Sequence, residues 1–324
     1  MFGDFPQLEG LYPDPVSLAF LKNAALIEAR GYGRWTRLRE TAEFARLMGF
    51  QRIGIGYSPD MAQEADGVAG LLNTYGLGPV FPPIEGAFDP EEQADFLNKA
   101  GTQLNVVAGM GVAAEAVFLH SVEASTIVLF ARDRRLHHNP AAALYTSRSY
   151  LQDALHGHWP RKARHSRSAG VEGLKGMISE SNPEGDDLPP SRIEEAMSVA
   201  HRLGASHLGL SFCVGFKEEA QTLTKILEIN EFTVSSACCK TGATPKEEIG
   251  IREEEKIRPG RPEMTCNPVA QAELLNRDRV DFAFVLGQCV GHDAATFRHL
   301  EAPAACLVAK DRVLAHNPVA ALKS

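Results

Sequence analysis

The sequence predicts an α/β protein in which one unit occurs twice. Residues 89–144 match residues 267–322 without a gap at a constant offset of 178, and 22 of these 56 pairs are identical, far above chance. "RIGIGYSPDMAQEA" (52–65) matches "HLGLSFCVGFKEEA" (207–220) at an offset of 155. Within each copy, short apolar runs alternate with segments of helical period. That order implies right-handed crossovers and a mostly parallel sheet between helical layers. Two tandem Rossmann-like or flavodoxin-like three-layer sandwiches are therefore expected, and 324 residues suit two domains.

The elements follow in order. Residues 14–48 supply two helices, with Trp35 in "GYGRWTR" (31–37) packing at a helix start rather than binding a ligand. Strands of the first copy are expected near 52–57, 79–82, 104–109 and 126–131, and a helix near 140–155. The second copy opens with "RIEEAMSVAHRLG" (192–204), whose Ile193, Met197, Val199, Ala200 and Leu203 form a helical apolar stripe. Ser191 and Glu194 form a capping box at its start. "HLGLSFC" (207–213) reads as a buried strand, "FKEEAQTLTKILEIN" (216–230) as a helix and "FTVSSACC" (232–239) as a second strand. A charged, Gly- and Pro-containing excursion (240–265) follows. The first copy shortens it to "IEGAF" (84–88), which accounts for the 23-residue difference between the two offsets. A loop of that length reads as a lid, a binding loop or disorder. Asn267 and Pro268 then start a helix as N-cap and first-turn proline. "DFAFVLGQC" (281–289) and "ACLVAK" (305–310) are the last strands, and a short helix capped by Asn317 closes the chain. The expected division is 1–150 for a cysteine-free first repeat, 151–190 for a linker with a helix, and 191–324 for the second repeat.

Composition narrows the function classes. Hydrophobic content of 44% and charged content of 23% suit an ordinary soluble globular protein, and a net charge of −8 argues against nucleic-acid partners. The basic run "PRKARHSR" (160–167) is the exception and reads as a solvated linker. No apolar stretch approaches the roughly 20 residues that span a bilayer, and "MFGDFPQLEG" lacks the pattern of a secretory signal. A cytoplasmic location is expected. There, clustered cysteines are more often metal ligands or catalytic thiols than disulfides.

All six cysteines lie in the second copy. The first copy has Ser58 for Cys213, Pro83 for Cys238, Phe88 for Cys266 and Gly111 for Cys289. In open parallel sheets, ligands bind beyond the carboxyl ends of the strands. Cys213 ends the first strand of the second copy, Cys238 and Cys239 the second, and Cys289 the third, while Cys266 precedes a helix. These positions converge on one edge, where helix N-termini favour thiolates. Gly215, Gly287 and Gly291 would let backbone approach a bulky ligand. His292 would be a ligand or an acid–base group, oriented by Asp293. Cys306, inside a strand, reads as a core filler. His316 matches His138 and reads as structural, and Asp311 and Arg312 match Asp133 and Arg134 and serve a turn. No C-x-x-C pair is present, so no standard zinc-ribbon or ferredoxin spacing applies.

Several stretches of the second copy, "SFCVGFKEEA", "CCKTGATPKEEIGI", "CNPVAQAELLN", "GQCVGHD" and "KDRVLAHNPVAAL", resemble the family described as uncharacterised metal-binding protein, domain of unknown function 1847. "GYGRWTRLRETAEFARLMGFQRIGI" (31–55) is similar to the approach to that family's first strand. The resemblance implies a bound metal and supplies no substrate or reaction. Many family members also carry a cysteine-rich segment near the N-terminus, whereas this chain has no cysteine before Cys213.

Three readings follow. In the first, an iron–sulfur cluster, or zinc as second choice, sits on Cys213, Cys238 or Cys239, Cys266 and Cys289. In the second, a metal-free thiol enzyme uses Cys289 with His292, or the Cys238–Cys239 pair. In the third, the cysteines are passive and Gly109, Met110 and Gly111 line a small-anion or partner site in the first lobe. The substrate or redox partner is open. Pseudo-twofold packing of the lobes would let a monomer stand in for a dimer.

Overall fold

The computed structural model describes residues 15–83, 87–156, 170–178 and 188–322. The basic run and most of "NPEGDDLPP" lie outside these residues. The first lobe runs α1 (Pro15–Gly31), α2 (Arg37–Leu47), β1 (Arg52–Gly56), α3 (Ala62–Thr74), β2 (Gly78–Val80), α4 (Pro90–Lys99), β3 (Leu104–Ala108), α5 (Val112–Ser121) and β4 (Thr126–Phe130). Three short helices follow: α6 (Ala141–Tyr145), α7 (Gln152–His156) and α8 (Gly170–Ile178). The second lobe runs α9 (Arg192–Leu203), β5 (His207–Phe212), α10 (Lys217–Ile229), β6 (Thr233–Cys238), α11 (Pro268–Arg277), β7 (Phe282–Leu286), α12 (His292–His299) and β8 (Ala304–Val308).

The two sheets have the same order, β2-β1-β3-β4 and β6-β5-β7-β8, and every strand pair is parallel. Four of the strands explain themselves. β3, β4, β7 and β8 are apolar nearly throughout and buried at every residue, as a sheet covered on both faces requires. The capping box of Ser191 and Glu194 forms, and Gly204 closes α9 in the left-handed conformation. Asn267 accepts from the Ala270 N–H at 2.9 Å and starts α11. Among the described residues, no helix is long and apolar enough to cross a membrane.

One expectation changes. The helix expected near 140–155 is two single turns, α6 and α7. Between them Thr146 and Ser147 hydroxyls donate back to the carbonyls of Ala142 and Leu144, at 2.7 and 2.9 Å, which competes with helix continuation. In the region 151–190, expected as a linker with a helix, α8 packs against α5.

The lobes are laced together. α5 of the first lobe lies against β8 of the second, and α12 of the second lies against β4 of the first. One apolar core cluster joins Val112, Ala116 and Val117 to Leu208, Phe284 and Leu307, and another joins Ile53 and Phe130 to Val290 and Ala294. Two fully buried arginines stitch the junction reciprocally. Arg37 opens α2 and donates to the carbonyls of Val128, Gln288 and Lys310 and to Asp293, while its backbone N–H donates to Asp311. Arg192 opens α9 and donates to the carbonyls of Cys306, Met110 and Arg132 and to Glu115, while its N–H donates to Asp133. Each arginine therefore pins the strand-end loops of the other lobe.

Candidate functional site

The backbone at the carboxyl edge of the second sheet gathers the sulfurs. The Cys213 N–H continues the β5–β7 ladder to the Leu286 carbonyl at 3.1 Å, and the Cys239 N–H continues the β5–β6 ladder to Phe212 at 2.9 Å. The Asn267 N–H donates to the Cys239 carbonyl at 2.7 Å, which seats the segment carrying Cys266. A buried amide network fixes the loop that carries Cys289. In it Gln288 donates to Ser211 and Gln271, Thr296 donates to Gln288, and Gln271 donates to the Ala237 carbonyl. Cys213, Cys239, Cys266 and Cys289 are each 5% exposed or less.

These four thiols form one nest. Cys239 lies beside Cys213 and Cys266, Cys213 also neighbours Cys289, and His292 borders both Cys266 and Cys289. The Cys239 sulfur also accepts from the Val214 N–H at 3.2 Å. Three cations wall the nest. Lys310 Nζ lies 2.9 Å from Cys213 Sγ and 3.6 Å from Cys289 Sγ, Arg312 Nη2 lies 3.3 Å from Cys289 Sγ, and Lys240 Nζ lies 3.4 Å from Cys266 Sγ. Glu28 on α1 pairs with Arg312 and accepts from the Cys289 thiol at 3.4 Å.

Charge is shared unequally. Hydrogen bonds from Cys239 and Cys289, then the Lys310 charge, hold Cys213 well below the usual thiol range against the effect of burial. Cys266 is likewise held low, first by Cys239 and then by His292. Cys239 donates to its neighbours and is pushed up. Burial lowers His292, but Cys266 first and then Cys289 outweigh it and lift the imidazole to about 10. Burial, then the Cys289 charge, pushes Glu40 up to about 8. The nest is thus a low-dielectric pocket in which Cys213 and Cys266 are held towards the thiolate beside cations.

The nest opens through Cys213 and Cys266 into a cleft of about 510 Å³, bordered also by Tyr32, Gly215, Lys246, Met264 and His316. The excursion 240–265 forms one wall as an ordered loop. Pro245 bridges to Met264, and Lys246 pairs with Glu263 at 2.7 Å.

The structure sorts the sequence-derived residues. Cys239 joins the nest directly. Cys238 ends β6 half-buried beside Cys239. Cys306 is buried within β8, in the core, as its strand position implied. Gly215 borders the cleft, but Gly287 and Gly291 answer to protein packing. Both have positive φ, and a Cβ would lie 2.2 Å from Phe216 in one case and 2.6 Å from Phe44 in the other. Asp293 pairs with Arg37 rather than orienting His292. His316 and His138 both have positive φ, and their Nδ1 atoms accept from the Asp311 and Asp133 N–H groups. Asp311 serves the turn as expected, but Arg312 leaves it for Glu28 and Cys289. In the first lobe Gly111 borders a cavity of about 430 Å³, whereas Met110 is fully buried and its carbonyl accepts from Arg192. The sequence did not point to Glu28, Tyr32 or Glu40, which come from the first lobe. Lys310 carried a signal, as the counterpart of Arg132 in the second duplicated stretch.

The family described as protein of unknown function (DUF1847) matches residues 6–81 and 167–307, more than half of the chain. The chain belongs to that family. Another protein, uncharacterized protein MJ0455 of Methanocaldococcus jannaschii, is 36% identical over 135 residues, covering 42% of this chain and 68% of its own length. The DUF1847 chain also has distant likenesses among solved structures. Dph2 from Pyrococcus horikoshii, solved with a 4Fe-4S cluster, is 13% identical with a TM-score of 0.26 over 80% of this chain, which spans only 54% of the length of Dph2. Ornithine carbamoyltransferase from Burkholderia thailandensis is 7% identical with a TM-score of 0.25, covering 89% of this chain and 80% of its own. Likenesses this weak say nothing about the ligand or activity of the DUF1847 protein.

Proposed function

We propose that the second lobe is a metal-binding module whose centre sits on Cys213, Cys239, Cys266 and Cys289, with His292 as neighbour or fifth donor. An iron–sulfur cluster is the first choice and a zinc ion the second. The observation that carries this reading is the meeting of four thiols from four chain segments in one buried nest. The donor chemistry fits, since thiolates and imidazole suit soft and borderline metals. The His292 Nε2 is buried there without an aligned hydrogen-bond partner. As the side chains stand, no three His, Cys, Asp or Glu groups among the described residues converge enough to hold an ion. A bound metal would therefore have to draw them together by side-chain rotation.

A cluster would supply electron transfer or a Lewis acid at this edge. The chain's own residues do the rest. Lys240, Lys310 and Arg312 offset the thiolate charge, Glu28 anchors Arg312, and the 240–265 loop shields the cleft as a lid. Cys213 and Cys266 face the cleft, so a substrate would approach on their side.

The test is anaerobic purification followed by iron, labile-sulfide and zinc analysis. Iron with sulfide and broad visible absorption is expected. Zinc alone would select the second choice, and an absence of metal would end the metal reading. A second reading then takes over, favoured by the 2.9 Å approach of Lys310 to Cys213 beside the cleft. In it, a metal-free thiolate at Cys213 acts as nucleophile, and one cysteine alkylates much faster than the others.

A further inference from the structure

The first lobe shows what the cation pair of the second lobe can hold. Lys310 and Arg312 stand where Arg132 and Arg134 stand in the first lobe, since 310 − 132 = 178 and 312 − 134 = 178. In the first lobe this pair grips a carboxylate. Arg132 Nη1 donates to both oxygens of Asp60 at 3.0 and 3.1 Å, and Arg134 Nε donates to Oδ2 at 3.3 Å. Asp60 lies in the turn after β1, two residues beyond Ser58.

The matching position after β5 is Gly215, two residues beyond Cys213, since 215 − 60 = 155. Glycine brings no carboxylate to the pair. Its backbone is not left-handed, and a Cβ placed there would meet only Lys310 Nζ at 3.7 Å and Cys213 Sγ at 4.0 Å. Gly215, Lys310, Arg312 and Cys213 all border the 510 Å³ cleft. The second lobe has kept the cations but not the carboxylate of the turn: Arg312 pairs instead with Glu28 from α1 and Lys310 with the Cys213 and Cys289 sulfurs, while the space over Gly215 stays open to the cleft.

We propose that this place is a subsite for a small-molecule carboxylate, held over Gly215 between Lys310 and Arg312. The ligand carboxylate takes the role that Asp60 plays in the first lobe, and its remainder lies in the cleft towards Lys246 and His316. An arginine fork and a lysine suit this group well. The subsite rests on the duplicated cation pair, which in this structure also contacts Cys213, Cys289 and Glu28.

Acetate tests it, as the smallest carboxylate with a methyl group for detection, and acetamide is its neutral analogue. Saturation-transfer NMR on the intact protein, purified without oxygen, should show acetate bound and acetamide free. Gly215→Asp supplies the carboxylate internally and should weaken acetate binding about tenfold or more, whereas Gly215→Ala should preserve it. Metal content measured on the same samples separates this result from the metal reading, and Gly215→Asp is expected to leave it unchanged. The proposal is overturned by a wild type that does not bind acetate, by equal binding of acetamide, or by Gly215→Asp binding acetate like the wild type. Inorganic phosphate bound in preference to acetate would overturn the ligand class.

Discussion

Gly287 and Gly215 look alike in sequence, each beside a cysteine loop, yet the structure gives them opposite tolerances. Gly287→Ala should cost about 2–4 kcal/mol through left-handed strain and the collision with Phe216, whereas Gly215→Ala should be nearly neutral. Urea denaturation of the two variants checks this. Single alanine substitutions of Cys213, Cys239, Cys266 and Cys289 should each lower metal content sharply, while Cys238→Ala and Cys306→Ala should keep it. Loss of metal in Cys306→Ala with an intact fold would contradict the assignment. His316 offers a pH test of its surroundings. Burial, then Lys310, pushes it from the ordinary 6.5 down to about 4. Between those values the unfolded chain takes up a proton that the folded one refuses, so stability is whole above pH 6.5 and falls as the pH drops through the window. With allowance for partial exposure this is about 1–2 kcal/mol. His316→Asn, which tolerates positive φ, should lose correspondingly less stability at pH 4.5 than the wild type. The gathering of the cysteines was legible because strand ends share an edge. That Cys239 rather than Cys238 is buried beside the other three was not, because neighbouring residues at a strand end point opposite ways and only the ladder register decides between them.

At the scale of elements, strands and caps were the readable part. The apolar runs of β3, β4, β7 and β8 and the Ser191–Glu194 box dictate their local structure with little help from the rest of the chain. The 140–155 segment was misread because apolar spacing does not register hydroxyls that bond back to the preceding turn. The 240–265 loop was legible as an insertion but not as an ordered wall, since its order depends on pairings across its own ends. Lys246 is 2% exposed and paired to Glu263. Lys246→Met should free that end of the loop, and limited trypsin digestion at Arg252, Arg258 and Arg261 should then run severalfold faster than in the wild type. Unchanged cleavage would mean that the loop is held by other contacts.

At the scale of the molecule, duplication was plain in the sequence and the lacing was not. The two arginines sit at equivalent positions, 192 − 37 = 155, but their partners are scattered along the whole chain, and nothing local marks them. Removing either one strands a buried carboxylate, Asp293 or Glu115. Arg37→Met and Arg192→Met should each destabilise the protein by about 3–5 kcal/mol in chemical denaturation. Because the cores are shared, both variants and the wild type should unfold in a single transition by far-UV circular dichroism and by fluorescence. Two separated transitions would show the lobes to be independent.

The pairing of Arg37 with Asp311 spans 274 positions. A growing chain exposes this arginine and the unfilled face of β4 until Asp311 and its surroundings are made. The first lobe, although synthesised first, cannot finish folding first. Its completion waits on the second lobe, and until that is made the nascent chain has an open flank that is exposed to aggregation. A chain stopped at residue 190 should therefore lack a cooperative thermal transition.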